Sequence, residues 1–581
     1  MREECTTQTI ANHRKEIFQK SCWGSWARQS SEFYRRAGGL YSYRCKDFGV
    51  KALPEGCLLS SKGPSVFPLE DVSPEFVIGI LNSRFMNALV HLQANANQFD
   101  TGIIERLPWV DFGSDKTEAV ERYVSRACAA AQLLHSFDER NLDFVGIESG
   151  PTLVSTYERQ VSQLQEATNT ISEAMCAIDE IVDDAYLVDS SLIQGMVKAF
   201  SDEDSDEPEE VDEDTEGREY DLAVGRHAEM WFSYVFGSVF GRWDVALSKN
   251  GSTRPSLRPP FEALPPVAPG THRDKKQDRI GDAFPLARTI VVDDTGGKDD
   301  IEIAIREITE YLSAGNGQVM EVEALDMLNA TSVPQYLRTK FFQSHIKHYS
   351  QRRRKAPIYW QLATPSASYS VWIYYHRLTK DTFFKVLKEY VKPKQTHEQK
   401  KLDRIRSEAG GEPTRSQRKE IEDQEKFVTE LASMAEEVER IAPLWSPNLN
   451  DGVIINFAPL WRLVPQNKSW QKECKKVWDK LVDGEYDWAH LAMHLWPERV
   501  VPKCVTDASL AIAHGVEDVF WEQDDRDRFQ PKEAPQGGWA PVIKKLVDER
   551  TSPAVKAALE SLLTAPAPAG NSKSRRRKAT T

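Results

Sequence analysis

Residues 352–394 read RRRKAPIYWQLATPSASYSVWIYYHRLTKDTFFKVLKEYVKPK. Four cations, Arg352, Arg353, Arg354 and Lys355, lead into an aromatic, β-branched run from Ile358 to Tyr375, broken by the turn formers Thr364 to Ser368. Between Tyr369 and Tyr375 the chain alternates: Tyr369, Val371, Ile373 and Tyr375 fall on one face, Ser370, Trp372 and Tyr374 on the other. That is strand period with strand-favouring residue types. From Lys380 to Val391 the spacing becomes helical, with Phe383, Phe384, Leu387 and Val391 on one side and lysines on the other. A strand and a helix flanked by cations, with tyrosines between, suit a polyanion that also offers flat bases. On that account Arg352, Arg353, Arg354, Lys355, Tyr374, His376 and Arg377 are candidate DNA contacts. A buried strand pair beside a basic helix is the competing account of the same residues.

The flanks extend the pattern on both sides. Residues 338–355 contain no acid, and Val333 to Lys355 reads as a basic helix packing on Phe341, Phe342 and Ile346. Upstream, Thr289 to Val292 reads as a short strand and Ile301 to Leu312 as a helix. Between them lie Asp293, Asp294, Asp299 and Asp300, but the spacing matches no calcium loop because the twelfth-position glutamate is missing. Downstream, residues 395–441 read as two long helices broken at Gly410-Gly411-Glu412-Pro413, the second stepping through Ile421, Val428, Leu431, Met434, Val438 and Ile441. Residues 442–565 carry eight tryptophans, from Trp445 to Trp539, which belong to packing. His490 and His494 are four apart, a zinc-compatible spacing, yet position 491 is Leu and no third ligand follows.

At 581 residues the chain exceeds one core, and its 40% hydrophobic content is that of a globular protein. No apolar run approaches a bilayer span, the N-terminus is polar, and the eight cysteines include no C-x-x-C pair. These features suggest a cytoplasmic protein with reduced thiols and no membrane association. The net charge of −14 argues against uniform attraction to DNA. Residues 201–221 are almost continuously acidic and account for most of it, reading as a disordered linker. Screening over about 8–10 Å leaves a local basic face free to act.

In the N-terminal part, Gly38-Gly39, Pro54-Glu55-Gly56 and Lys62-Gly63-Pro64 punctuate short strand-like pieces, Leu40 to Arg44 and Cys57 to Ser61. Residues 75–92 have one helical period, with Phe76, Ile80, Phe85, Leu89 and Leu92 on a shared face, and an apolar strand ends at Pro108. Residues 113–200 read as a helical bundle segment. Trp231, Tyr234, Val235 and Val239 form a helix face, and Pro255 to Gly270 reads as a surface connector.

The wording from Arg353 to Leu387 resembles the C-terminal region of large adenine-specific DNA methyltransferases of phage-defence systems, the BREX/PglX-type enzymes, and of their type IIG restriction-modification relatives. Tyr234 to Asp244 and Asn450 to Pro465 resemble further phrases of the same family. Leu81-Asn82-Ser83, the loop Gln93 to Gln98, and Gly102 to Pro108 resemble target recognition domains, in which a helix and a closing strand support loops that read base edges. The resemblance implies double-stranded DNA as a partner, with early-loop contacts at Tyr41, Tyr43, Arg44, Lys46, Ser60, Ser61 and Lys62. Asn95 and Asn97 have the amide for adenine, or serve as turn formers.

Adenine N6 methylation in that family needs a glycine-rich turn for S-adenosylmethionine and an Asn/Asp-Pro-Pro-aromatic motif for the flipped base. Neither occurs in these residues: Arg258-Pro-Pro-Phe261 and Leu264-Pro-Pro-Val267 lack the amide or acid. No convincing nuclease motif is present either. No catalytic, cofactor or metal position is therefore carried over, and S-adenosylmethionine is expected on a methyltransferase half outside this sequence. The chain reads as the recognition and scaffold half, whether a natural split partner, a truncated product or a chain read from an internal start. A standalone DNA-binding specificity subunit and an interaction scaffold among other defence-system subunits remain as alternatives.

The expected fold is α+β and multidomain. It comprises a small mixed target-recognition-like domain (1–112), a helical segment (113–200), the acidic linker (201–221) and a mixed α/β domain with the basic aromatic strand and helix (222–394). A helical hairpin (395–441), a Trp-rich helical C-terminal domain (442–565) and a disordered basic tail (566–581) complete it.

Overall fold

The computed structural model describes residues 33–59, 63–69, 71–94, 97–193, 195, 223–249, 255–272, 288–294, 296–297, 299–351, 354–524 and 529–566. The acidic run 201–221 and the tail from 567 lie outside them. Helices dominate, with small antiparallel sheets among them, so the fold is α+β and multidomain. The chain divides into two compact units.

The first unit comprises Arg28–Leu286 with Thr309–Met327. Its sheet, in the order β2-β1-β3, consists of β1 (Gly38–Tyr41), β2 (Val50–Leu53) and β3 (Ser65–Val66). Gly38 lies inside the central strand and not at a turn. A Cβ there would sit 2.5 Å from the Val66 carbonyl oxygen, so glycine is what lets β3 close on β1. The single helix expected over 75–92 is two, α1 (Pro74–Asn82) and α2 (Arg84–Gln93). Ser83 divides them: its hydroxyl donates to the Ile80 carbonyl at 2.7 Å and accepts from Met86 N at 3.4 Å, capping the second helix. Because the axis turns there, Phe76 and Ile80 are buried while Leu92 is exposed.

Gly79 brings α1 against α3 (Gly113–Ser136), where a Cβ would meet Val120 and Val124 at 2.6 and 2.8 Å. Helix α3 pairs antiparallel with α4 (Leu153–Tyr186): Ala130 and Leu134 share a cluster with Leu164 and Ala167, and Lys116 reaches Asp184. The strand expected before Pro108 is one helical turn, Thr101–Ile104, that buries Ile103. So short an apolar run fits either period, and sequence pattern alone does not separate them. Helix α5 (Val224–Val239) is buried from Trp231 to Val239 around its whole circumference, which makes it a central helix. Its His227 donates through Nδ1 to Gln160 Oε1 at 2.7 Å, and burial pulls its pKa down to about 4. Residues 255–270 run without helix or strand, as their prolines require. Arg258 satisfies the Pro259, Pro260 and Glu262 carbonyls and pairs with Asp143.

The second unit contains Ala287–Ile308 and Leu328–Thr581. In chain order it has β4 (Ile290–Val292), α6 (Ile301–Leu312, whose last turn belongs to the first unit), α7 (Phe342–His348), a small ladder of β5 (Ser350–Gln351) with β6 (Arg354–Lys355), β7 (Tyr359–Ala363) and β8 (Ser370–Tyr374). Strands β4, β8 and β7 form an antiparallel sheet in that order, with Tyr359 opposite Tyr374 and Ile290 opposite Ile373. The alternation read from the sequence is present, but every residue of β7 and β8 is buried. One face, with Tyr359 and Trp372, lies under His345, Phe341 and Phe342, with ring centroids 4.8 to 5.9 Å apart. On the other, Trp360 packs on Phe457 at 4.6 Å and on Trp445 at 6.2 Å. The elements covering both faces come from distant sequence.

The helix expected from Lys380 starts at Thr382, passes through a π-helical turn (Val386–Val391) and continues as α8 (Lys392–Ala409). Phe383 is buried and Phe384 is exposed. After the turn at 410–413, α9 (Arg415–Ile441) folds back, tied by Arg406–Glu425 at 2.7 Å and by Gln424 to Glu398 at 2.8 Å. The four aspartates near β4 bind protein groups. Asp293 pairs with Arg338 and Asp294 with Lys394, Asp299 accepts from Tyr390, and Asp300 accepts from Gly296 N and Glu302 N. Beyond α9 come α10 (Lys468–Val482), α11 (His490–Leu495) and α12 (Ala508–Ala513). Arg462 and Glu437, both under a tenth exposed, form a two-pronged pair at 2.7 and 2.8 Å, and Arg462 also holds the Pro566 carbonyl.

Candidate nucleic-acid interface

In the first unit the loop between β1 and β2 carries the early candidates. Tyr41 is not among its surface groups: it is 2% exposed, its ring packs edge-on against Phe48 at 5.4 Å, and burial pushes its hydroxyl pKa up to about 12. A core ring cannot stack on a base, so burial corrects that expectation. Tyr43 is half-buried and donates to Gln98 Oε1 at 3.4 Å. The loop is stitched to the segment after α2 by Cys45 N to the Asn97 carbonyl and Phe99 N to the Tyr43 carbonyl. Asn97 itself has φ +54, a turn conformation. Arg44 and Lys46 remain exposed on this anchored loop. Ser60, Ser61, Lys62 and Asn95 lie outside the described residues.

The Leu-Asn-Ser phrase supports this loop from beneath. Asn82 Oδ1 accepts from Val50 N at 2.7 Å and its Nδ2 donates to the Val50 carbonyl at 2.8 Å, pairing with β2 as another strand would. Asn87 Nδ2 donates to the Phe48 carbonyl at 2.8 Å. Both amides thus fix the loop that presents Arg44 and Lys46.

In the second unit the β7–β8 pairing sets the geometry. Tyr359 faces Tyr374, and Tyr375 N donates to the Ile358 carbonyl at 2.8 Å, so Lys355 and the turn Tyr375–Arg377 fall at the same end of the sheet. Ala356 N donates to the Tyr349 carbonyl, and His345 Nε2 accepts from both Ile358 N and Tyr359 N at 3.0 Å, so α7 ends there too. The opposite end is held differently: Ser366 in the β7–β8 turn donates through N and Oγ to Glu430 of α9.

At the cationic end Arg354, Lys347 and His376 are exposed, and Lys355 and Arg377 are half-buried. Tyr374 is 8% exposed, its ring between those of Tyr359 (5.5 Å) and His376 (5.4 Å). It supports His376 from below and does not reach solvent as a stacking platform, so this expectation too is corrected. Arg352 and Arg353 lie outside the described residues.

Sequence pattern passed over two further cations. Helix α10 reaches this end, where Lys355 Nζ lies 4.0 Å from Glu473 Oε1, while its cap Asn467 donates to Gln343 Oε1 in the first turn of α7 at 2.9 Å. Lys472 and Lys476 of α10 are exposed. Their signal was legible, since Lys468, Lys472, Lys476 and Lys480 recur every four residues, the period of one helical face. The tryptophans of the same segment masked it. Lys347, Arg354, Lys355, His376 and Arg377 thus stand at one end of an aromatic-cored sheet, with Glu473 of α10 facing Lys355, and exposed cations so placed suit the holding of phosphates.

No family model matches the chain. It is similar to the adenine-specific methyltransferase PglX of Lacticaseibacillus casei (strain Zhang). The two are 24% identical over 431 residues, which covers 71% of this chain and 33% of the relative. The chain thus spans about a third of the length of that protein. The likeness supports, at the level of sequence, the relation suggested by residues 353–387. Among the described residues no group of three His, Cys, Asp or Glu is placed to hold a metal, and no helix is long and apolar enough to cross a membrane.

Proposed function

We propose that these residues are the DNA-recognition and scaffold portion of an adenine-specific (N6) DNA methyltransferase of a phage-defence or restriction-modification system. The likeness to PglX supports the enzyme class. What supports the recognition role is that Arg354, Lys355 and His376 fall at one end of a sheet buried on both faces, where α7 with its exposed Lys347 also ends. Cations on such a scaffold bind phosphates without paying the ordering cost of a loose loop. Arg44 and Lys46, on the braced loop of the first unit, are the proposed second set of contacts. Methyl transfer and S-adenosylmethionine binding belong to a methyltransferase core outside these residues, and the partners are double-stranded DNA and that core.

The test combines two measurements on the purified chain. A fluorescent duplex should bind at low salt, with affinity falling steeply as salt rises. Labelled S-adenosylmethionine should be neither retained nor incorporated into DNA. Indifference to the duplex at low salt favours a defence-complex scaffold with no DNA role, and incorporation above background refutes the division of labour.

A further inference from the structure

Two imidazoles of the second unit, outside the basic surface, lie close together. His490 opens α11, where Asp451 Oδ1 accepts both its backbone N–H and its Nδ1–H at 2.8 Å. The other oxygen of Asp451 accepts from Leu491 N at 2.8 Å, so the carboxylate is fixed. With the proton on Nδ1, His490 Nε2 keeps a lone pair. His514, just beyond α12, donates through Nε2 to the Asp487 carbonyl at 2.6 Å. That leaves Nδ1 as its lone-pair nitrogen, and this atom is buried with no hydrogen-bond partner. The ring centroids are 6.0 Å apart and the planes stand at 78°.

Each ring has the form a metal-bound histidine takes, one nitrogen held by a carboxylate or backbone carbonyl and the other bare. An ion about 2.1 Å from one nitrogen of each ring sets the centroids roughly 5.3 Å apart at the tetrahedral angle and about 6.5 Å apart when the two nitrogens stand opposite each other across it. The observed 6.0 Å lies between those two limits, so an ion bridging the rings needs them to close by about 0.7 Å to reach the tetrahedral angle. The His490 side chain is 40% exposed, so solvent reaches that ring, while His514 Nδ1 is buried beneath the surface. His494, the partner suggested by sequence spacing, is turned instead toward the Leu444 backbone.

We propose that His490 and His514 form a surface site for a borderline divalent transition ion such as Zn2+, with water in the positions the protein leaves open. No third protein ligand stands there among the described residues, so the site is open to a further donor from solvent. An ion held there would tie the start of α11 to the end of α12.

The chain, stripped with a chelator and titrated with Zn2+ by calorimetry, should take up one ion. Loaded with Cu2+, it should show nitrogen hyperfine structure from two imidazoles by electron paramagnetic resonance. His490→Ala removes a half-exposed ring but keeps the backbone bond to Asp451, so it should fold and lose at least tenfold in affinity. His514→Ala should lose as much. Asp451→Asn, which frees the His490 ring, should weaken binding by about tenfold. No Zn2+ uptake by the folded wild-type chain, uptake unchanged in His490→Ala, or a Cu2+ spectrum without two nitrogens overturns the proposal, whether or not His514→Ala folds.

Discussion

The two three-stranded sheets among the described residues use similar residues to opposite ends. In the first unit β1 is short, Gly38 admits its neighbour, and the adjoining loop is held from outside by Asn82 and Asn87. In the second unit β7 and β8 are wholly buried between two aromatic layers, and the cations stand at the rim. One sheet is braced by hydrogen bonds from a helix, the other by packing. Tyr41 is buried in the first sheet and Tyr374 in the second, and Asn82 of the Leu-Asn-Ser phrase braces the first. The charged residues that those supports hold in place are the proposed contacts.

If that contrast is right, the largest effect of a single substitution should fall in the packed sheet. Trp360→Ala removes a ring with no exposed surface that touches Phe457 and Trp445, and should cost about 3–5 kcal/mol, read as a fall in the denaturation midpoint.

That burial was only half legible. Alternation over residues 369–375 assigns residues to faces, and the bounds of α6 and the turn at 410–413 follow from period and from Gly-Gly-Glu-Pro. Which face meets solvent depends on what covers it, and Phe341, Trp445 and Phe457 arrive from either side of the strands in sequence. Tyr41 and Tyr374 stood among the candidate contacts for this reason, and for Tyr374 the burial fits the competing account of a buried strand pair. The break at Ser83 was hidden because a serine inside an apolar helical period reads as a tolerated polar residue until its hydroxyl is seen capping the next helix.

The second effect is pH-dependent and confined to the first unit. The folded pKa of His227 is near 4, below its unfolded value of about 6.5. Between those pH values the unfolded chain binds a proton that the folded chain does not, so stability falls as pH drops through that window. The loss is about 3 kcal/mol at most. Denaturant midpoints at pH 7 and pH 4 should therefore converge in His227→Gln.

A smaller loss is expected at the brace. Asn82→Ala leaves Val50 N and its carbonyl without their partner and should cost about 1–3 kcal/mol while leaving the salt dependence of duplex binding unchanged. A change in salt slope without loss of stability would make Asn82 a contact and remove the distinction between support and grip.

The most direct test of the proposed grip compares charge reversal at the two rims by anisotropy of a labelled duplex across salt concentrations. Each lost phosphate contact should shallow the plot of log affinity against log salt by about 0.9. Arg354→Glu with Lys355→Glu, and separately Arg44→Glu with Lys46→Glu, should each shallow it by about two contacts' worth while leaving thermal stability intact. Slopes equal to wild type in both variants would contradict the account.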